Sequence, residues 1–260
     1  MFRFFVSQDQ IDEREGRVEI TGPDVNHIRN VLRMSPGEKI RISNGKDRDY
    51  LCAVLSAEED RVTAEILERE ESTELPARIW LFQGLPKSDK MELIIQKAVE
   101  LGVYCIVPVA TRRAVVKLDR KKEEAKRRRW NAISESAAKQ SKRLIIPEVR
   151  EVMSFSDACR LASSFDRNFI PYEKAEGMEK TREELRAVGS GMEMGVFIGP
   201  EGGFDEEEIR TAMEAGIRPI TLGKRILRTE TAGLYVLSVL GFLLEDGEDG
   251  PAFVSDRERI

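Results

Sequence analysis

The chain holds one histidine and three cysteines in 260 residues, and it lacks any apolar run long enough to cross a bilayer. Cys52, Cys105 and Cys159 stand far apart without CxxC spacing. They are too few for a disulfide framework or a four-thiolate zinc site, so a reducing cytoplasm is expected. Zinc, iron and flavin all lack candidate ligands or binding signatures, and no metal site is expected. The longest apolar stretch, Leu234 to Leu244, is too short for a membrane span. The opening Met-Phe-Arg-Phe-Phe-Val lacks the apolar core and cleavage site of a signal peptide, so no membrane role is expected. His27 falls on the apolar side of a short helical pattern, where a core position is expected and a catalytic histidine disfavoured.

What is present is ample for folding: 41% of residues are hydrophobic and 34% charged, which excludes disorder. The length suits two unequal domains. The net charge of −5 argues against a nucleic-acid partner until its distribution is read. Residues 112–150 carry 14 Lys/Arg against 5 Asp/Glu, so one segment is strongly basic inside an acidic chain. Such a segment is a candidate phosphate-contacting surface, a solvated helix face being the plain alternative. It reads as a helix from about Glu123 to Gln140, with Trp130, Ile133 and Ala137 inward and Arg127, Arg128 and Arg129 outward.

Residues 1–70 read as a small β-rich domain. Its strands are Arg17 to Ile20, Lys39 to Ile42, Asp49 to Leu55 and Arg61 to Leu67, with Asn44-Gly45 as a hairpin signal. A short helix through His27, Ile28, Val31, Leu32 and Met34 interrupts them, and Ser35-Pro36-Gly37 ends it. Glu68 to Pro76 reads as a linker. Over 76–245 apolar strands alternate with amphipathic helices, which predicts an α/β domain with a largely parallel sheet. Arg78 to Gln83 and Cys105 to Val109 are strands, and between them Ser88 caps a helix that Gly102 stops. Phe169-Ile170, Val196 to Ile198 and Ile220 to Leu222 are further strands, and Thr231 to Glu245 is the last helix. Residues 246–260 form a polar tail.

Two strand exits carry unusual residues. Gly199-Pro200-Glu201-Gly202-Gly203-Phe204-Asp205 joins a buried strand to a helix capped by Asp205 and Glu208, and its glycines let backbone approach a ligand closely. It lacks the spacings of a Rossmann dinucleotide site or a P-loop. The second exit, Leu222-Gly223-Lys224-Arg225-Ile226-Leu227-Arg228-Thr229-Glu230-Thr231-Ala232, mixes cations, apolar residues and a hydroxyl-acid-hydroxyl run. A helix cap at Thr229 or Thr231 explains the threonines but not Arg225 and Arg228. Ligands of open α/β sheets bind at such carboxyl ends.

These two segments, with LPKSDKMELIIQKAVELGV (85–103) and SESAAKQSKRLIIPEV (134–149), resemble the RsmE family of SPOUT-class methyltransferases. His27 to Arg33 with Gly37 resembles the family's N-terminal PUA-like RNA-binding module. The resemblance implies transfer of a methyl group from S-adenosylmethionine to N3 of a uridine in the decoding region of 16S ribosomal RNA. It also implies a deep trefoil knot in the C-terminal SPOUT domain and a homodimer with cofactor sites near the subunit interface. The cofactor would rest against Ile198, Gly199, Pro200, Glu201 and Gly202 of the first loop. The second loop would offer Leu222, Gly223, Ile226, Leu227 and Thr229. Lys139 and Lys142 depart from the family's acidic or neutral and small residues there.

Methyl transfer from a sulfonium asks mainly for alignment, with a cation to stabilise the uracil anion and a carboxylate to take the N3 proton directly or through water. Arg228 and Glu230 are the candidates by residue type and location, a salt bridge being the competing use. Arg3, Arg29, Arg33, Lys87, Gln140 and Arg143, at positions matching family motifs, are candidates for RNA together with Arg128 of the basic helix. Two other readings keep part of this pattern: a SPOUT enzyme acting on another RNA position, and a non-catalytic RNA-binding or ribosome-assembly protein.

Overall fold

The computed structural model describes residues 1–46, 48–70, 72–115, 119–175 and 177–245. The expected polar tail, 246–260, lies outside them. The chain divides into two units, residues 1–74 with 135–146, and residues 75–134 with 147–260.

In the first unit, β1 (Arg3–Phe5), β2 (Ile11–Asp12), β3 (Arg17–Thr21), β4 (Lys39–Ser43), β5 (Asp49–Ala57) and β6 (Arg61–Glu70) form one sheet. Among the described residues its order is β1-β4-β5-β6-β3-β2, with only β1 and β4 parallel. Alternation sets the buried face: Val18 and Ile20 of β3, Ile40 and Ile42 of β4, and Cys52 and Val54 of β5 are all buried. The strand β6 reaches Glu70, and Glu68 to Glu70 pair with Leu51, Tyr50 and Asp49. The expected linker therefore loses its first three residues to the sheet.

Helix α1 (Pro23–Asn26) begins four residues before the expected helix, with proline at its first position after Gly22 at φ +81°. It runs into a π-turn at His27–Val31. The wider winding buries Ile28 but leaves His27 and Val31 exposed, so the expected core position of His27 is corrected. Its ring meets Phe4 edge-on at 6.1 Å.

Arg3 and Arg143 are buried, contrary to a phosphate-contacting role. Arg3 pairs with Asp49 at 2.5 Å and donates to the carbonyl of Arg143 at 2.8 Å. Arg143 pairs with Glu74, whose carboxylate also accepts from the amides of Leu144 and Ile145. Their charges are consumed by carboxylates distant in sequence; Arg3 fastens Arg143 to β1, and Arg143 in turn is fastened to Glu74, beyond the end of β6. Gly45 and Ile145 complete that attachment through a parallel bridge.

In the second unit the elements are β7 (Arg78–Gly84), α2 (Lys90–Glu100), β8 (Cys105–Ala110), α3 (Arg120–Ser141, its last residues in the first unit), β9 (Glu148–Val149), β10 (Met153–Ser154) and α4 (Phe155–Ala162). Then follow β11 (Arg167–Pro171), α5 (Met178–Arg186), β12 (Glu193–Ile198), α6 (Glu206–Glu214), β13 (Arg218–Ile220) and α7 (Thr229–Glu245). The sheet is parallel throughout, ordered β10-β8-β7-β12-β11-β13 with β9 beside β8. Its central strands are apolar on both faces because helices cover both, and the facing rings of Phe82 and Phe197 stack at 4.3 Å.

Met91, Ile94, Ile95, Ala98 and Val99 are the buried face of α2, which Gly102 ends at φ +89°. Ser88 does not cap it: the cap position is Asp89, and Ser88 itself is held at φ +56°. The strand β13 stops at Ile220, which corrects the expected extension to Leu222 and frees residues 221–228 as a loop. Correspondingly α7 starts at Thr229 rather than Thr231. Among the described residues no helix is long and apolar enough to cross a membrane.

Candidate functional site

Because the strands run parallel, the loops after β8, β11, β12 and β13 leave the same edge of the sheet, and α2 begins there after β7. They enclose a cavity of about 820 Å³, within the size range of small-molecule sites. Ile198 to Phe204 form one wall and Thr221 to Thr229 another; Tyr172, Arg113 and Lys90 are also in the lining. The structure thus brings together both glycine-bearing loops singled out in the sequence.

The first loop is held close to β7. A Cβ on Gly84 would lie 2.7 Å from the Pro200 ring and 2.8 Å from its nitrogen, so this position requires glycine. A Cβ on Gly199 would stand 3.1 Å from the Gly203 backbone. Downstream, Asp205 and Glu208 form the expected capping box of α6. Arg113 donates to the Gly202 carbonyl at 3.0 Å, and the Arg112 amide to Glu208 at 2.8 Å.

The second loop is conformationally special at Gly223, φ +101°, where, among the described residues, only Met178 Sδ comes within 4.0 Å of an added Cβ. Among the described residues, the backbone N–H and C=O groups of Leu222 and of 224–227 have no hydrogen-bond partner in the chain. A row of free backbone groups beside the apolar walls of Ile198, Leu222 and Leu227 can read both the polar edge and the flat face of a ligand. Ile226 also lines the cavity, yet it is 97% exposed, at the loop's outer rim.

The loops are tied together beneath the cavity. Thr229 Oγ1 donates to the Gly199 carbonyl at 2.6 Å and accepts from Gln83 Nε2 at 2.9 Å. Gln83 is fully buried, and among the described residues its Oε1 has no hydrogen-bond partner. At the rim Lys90 Nζ stands 3.0 Å from Glu201 and 3.3 Å from Glu230.

Of the two candidate catalytic groups, Arg228 lines the cavity and is exposed, with no ion pair for its guanidinium among the described residues. Glu230 is not in the cavity wall; its carboxylate turns to Lys90, the salt-bridge use. Its own amide and then Lys90 hold Glu230 below the usual carboxylate range. Partial desolvation works against the same outcome at Glu201, but its own amide, Lys90 and the Lys87 amide prevail and keep it low. Both are therefore carboxylates near neutrality.

Arg29, Arg33, Lys87, Arg128 and Gln140 are exposed. On α3, Trp130 and Ala137 are buried while Arg129 pairs with Glu92 and Arg127 with Glu151; among the described residues Arg128 of that triplet has no ion pair. Gln83, Gly84, Lys90 and Arg113 were not among the expected site residues. Only a polar glutamine ending an apolar strand was a signal, and the others are defined by contacts across the fold.

Comparison with known proteins agrees with this geometry. The RNA methyltransferase domain family matches residues 73–241, and the RNA methyltransferase PUA domain family matches residues 20–67. Ribosomal RNA small subunit methyltransferase E of Bacillus subtilis is 38% identical over 94% of this chain and 98% of its own. The protein of that name from Mesomycoplasma hyopneumoniae is 32% identical over 92% and 98%. A crystal structure of ribosomal RNA small subunit methyltransferase E from Neisseria gonorrhoeae bound to S-adenosyl methionine superposes with TM-score 0.78, at 33% identity over 94% of this chain and 98% of that one. A cavity walled by two glycine-bearing strand exits, the matched domain pair and near full-length likeness together make this chain a member of the ribosomal RNA small subunit methyltransferase E family.

Proposed function

We propose that this protein binds S-adenosylmethionine in the strand-exit cavity and methylates N3 of a uridine in the decoding region of 16S ribosomal RNA. The observation that carries this reading is the convergence of the two loops on one cavity, with the backbone of 222–227 largely unpartnered and Gly223 held at φ +101°. The donor set fits: free backbone amides and carbonyls for the adenine edge and the amino-acid groups, and Ile198, Leu222 and Leu227 for the apolar surface. Pro200, Glu201, Gly202 and Ile226 line the same space, with Thr229 beneath.

When bound, the cofactor supplies an activated methyl on a sulfonium. The protein's part is orientation, which can supply about 7–11 kcal/mol when reacting groups are held in line. Arg228, a cation at the wall with no ion pair among the described residues, stabilises the charge that develops on the uracil ring. Glu230 being turned to Lys90, the N3 proton passes to Glu201, the carboxylate of that cluster which lines the cavity, directly or through water.

Arg29, Arg33, Lys87, Arg128 and Gln140 contact RNA phosphates in this reading, their exposure being the support. A ribosomal substrate puts the protein in the cytoplasm. A homodimer is part of the proposal: Tyr235, Phe242 and Leu243 stand exposed along α7, with Phe242 74% exposed, an apolar strip that a second copy would cover. So is a trefoil knot, supported by α7 leaving the edge strand β13 yet packing on the central strands β7 and β12.

Deletion of the gene followed by mass mapping of modified nucleosides tests the function. Loss of 3-methyluridine from small-subunit RNA, restored by the intact gene, is expected. Undiminished 3-methyluridine overturns the reading.

A further inference from the structure

We infer that Lys90 is a positioning residue, a single ammonium that locks the two loops of the cavity to each other and to α2. The inference rests on the cofactor-pocket reading above and adds to it a group that sets the pocket's shape.

The geometry is specific. Glu201 belongs to the first loop, and Glu230 opens α7 directly after the second. Lys90 Nζ reaches both, at 3.0 and 3.3 Å. The Lys87 amide adds a further bond to Glu201 at 3.1 Å. Lys90 is the first residue of α2, whose position is fixed by buried Met91, Ile94 and Ile95. The clamp is thus anchored on α2, while Glu201 sits on the first loop and Glu230 in the first turn of α7, where the second loop ends.

Lys90 from α2 faces both carboxylates and Arg228 from the second loop faces Glu230, and because both carboxylates lie within 3.3 Å of one nitrogen they also stand close to each other. Without the ammonium, two like charges would confront one another at the rim. The three side chains are only 30%, 29% and 17% exposed, so solvent screens the repulsion incompletely. The loops would then separate at the rim while the Thr229 tie still held their base.

Calorimetric titration of the full chain with S-adenosylmethionine tests this. In Lys90→Met the Kd is expected to rise about three- to tenfold, the scale of one or two partly exposed ion pairs. Lys90→Arg should stay near the parent value. The double variant Lys90→Met with Glu230→Gln should recover most of the loss, because it removes the like-charge conflict, and added salt should narrow the Lys90→Met deficit. A side chain that merely packs predicts the opposite: a double variant as weak as the single one and a deficit indifferent to salt. Either that pattern or an unchanged Kd in Lys90→Met overturns the inference. Gly223→Val is the control: if it binds like the parent, the pocket reading itself fails; if it loses binding while Lys90→Met does not, only the clamp fails.

Discussion

The Thr229 hydroxyl donates to the Gly199 carbonyl across 2.6 Å, joining the start of the last helix to a loop that leaves a different strand. The same oxygen accepts from buried Gln83, so one side chain fixes the relative position of both cavity walls. Thr229→Val keeps the shape and removes both bonds. It should cost about 1–3 kcal/mol of stability, the penalty for stranding buried polar groups, and weaken S-adenosylmethionine binding. Thr229→Ser should preserve both properties; denaturant titration and calorimetry are the checks.

Gly223→Val should abolish cofactor binding, since a branched side chain would project into the open space beside the loop and φ +101° disfavours it. Far-UV circular dichroism should remain that of the parent. Gly84→Ala acts by another route: its methyl would strike Pro200 and displace the first loop, lowering affinity and stability together.

RNA binding should separate surface cations from buried ones. Replacing Arg29, Arg33 or Arg128 by Glu should weaken binding and reduce the salt slope of log K by about one per lost phosphate contact, with cofactor affinity intact. Arg143→Glu should instead unfold the first unit, because it puts a like charge against Glu74 in a buried site. Filter binding across a salt series and thermal denaturation distinguish these outcomes.

How much of this was legible in the sequence depends on the range of the cause. The loops at 199–205 and 222–232 were legible because glycine, a cap and apolar strands lie within a dozen residues of each other. The β-rich first unit and the parallel second unit followed from hydrophobic period. Arg3 and Arg143 were misread because their partners, Asp49 and Glu74, are 46 and 69 residues away. His27 was misplaced because the helix winds as a π-turn there, which rotates the face that a regular helix would bury. Gly84 and Lys90 acquire meaning only when Pro200, Glu201 and Glu230 arrive from the other end of the chain.

Burial pushes Asp49 up to about 6, against the pull of Arg3. Its folded value therefore lies above the unfolded carboxylate's, near 4. The associated stability is present below about pH 4 and is lost as pH rises through about 6, at most about 1.4 kcal/mol per pH unit. Asp49→Asn should flatten that segment of the pH–stability profile measured by urea denaturation. A slope unchanged by the substitution would remove Asp49 as its source.

Self-association should depend on the exposed strip of α7. Phe242→Glu is expected to convert a dimer to a monomer in sedimentation velocity, and a parent protein that sediments as a monomer would dismiss the dimer.

Amide hydrogen exchange with and without saturating S-adenosylmethionine is the most direct measurement of whether two strand exits make one cofactor site. Slowed exchange in both 198–203 and 222–228 on binding is the expected result. Saturable binding that protects neither segment, or only one of them, would contradict it.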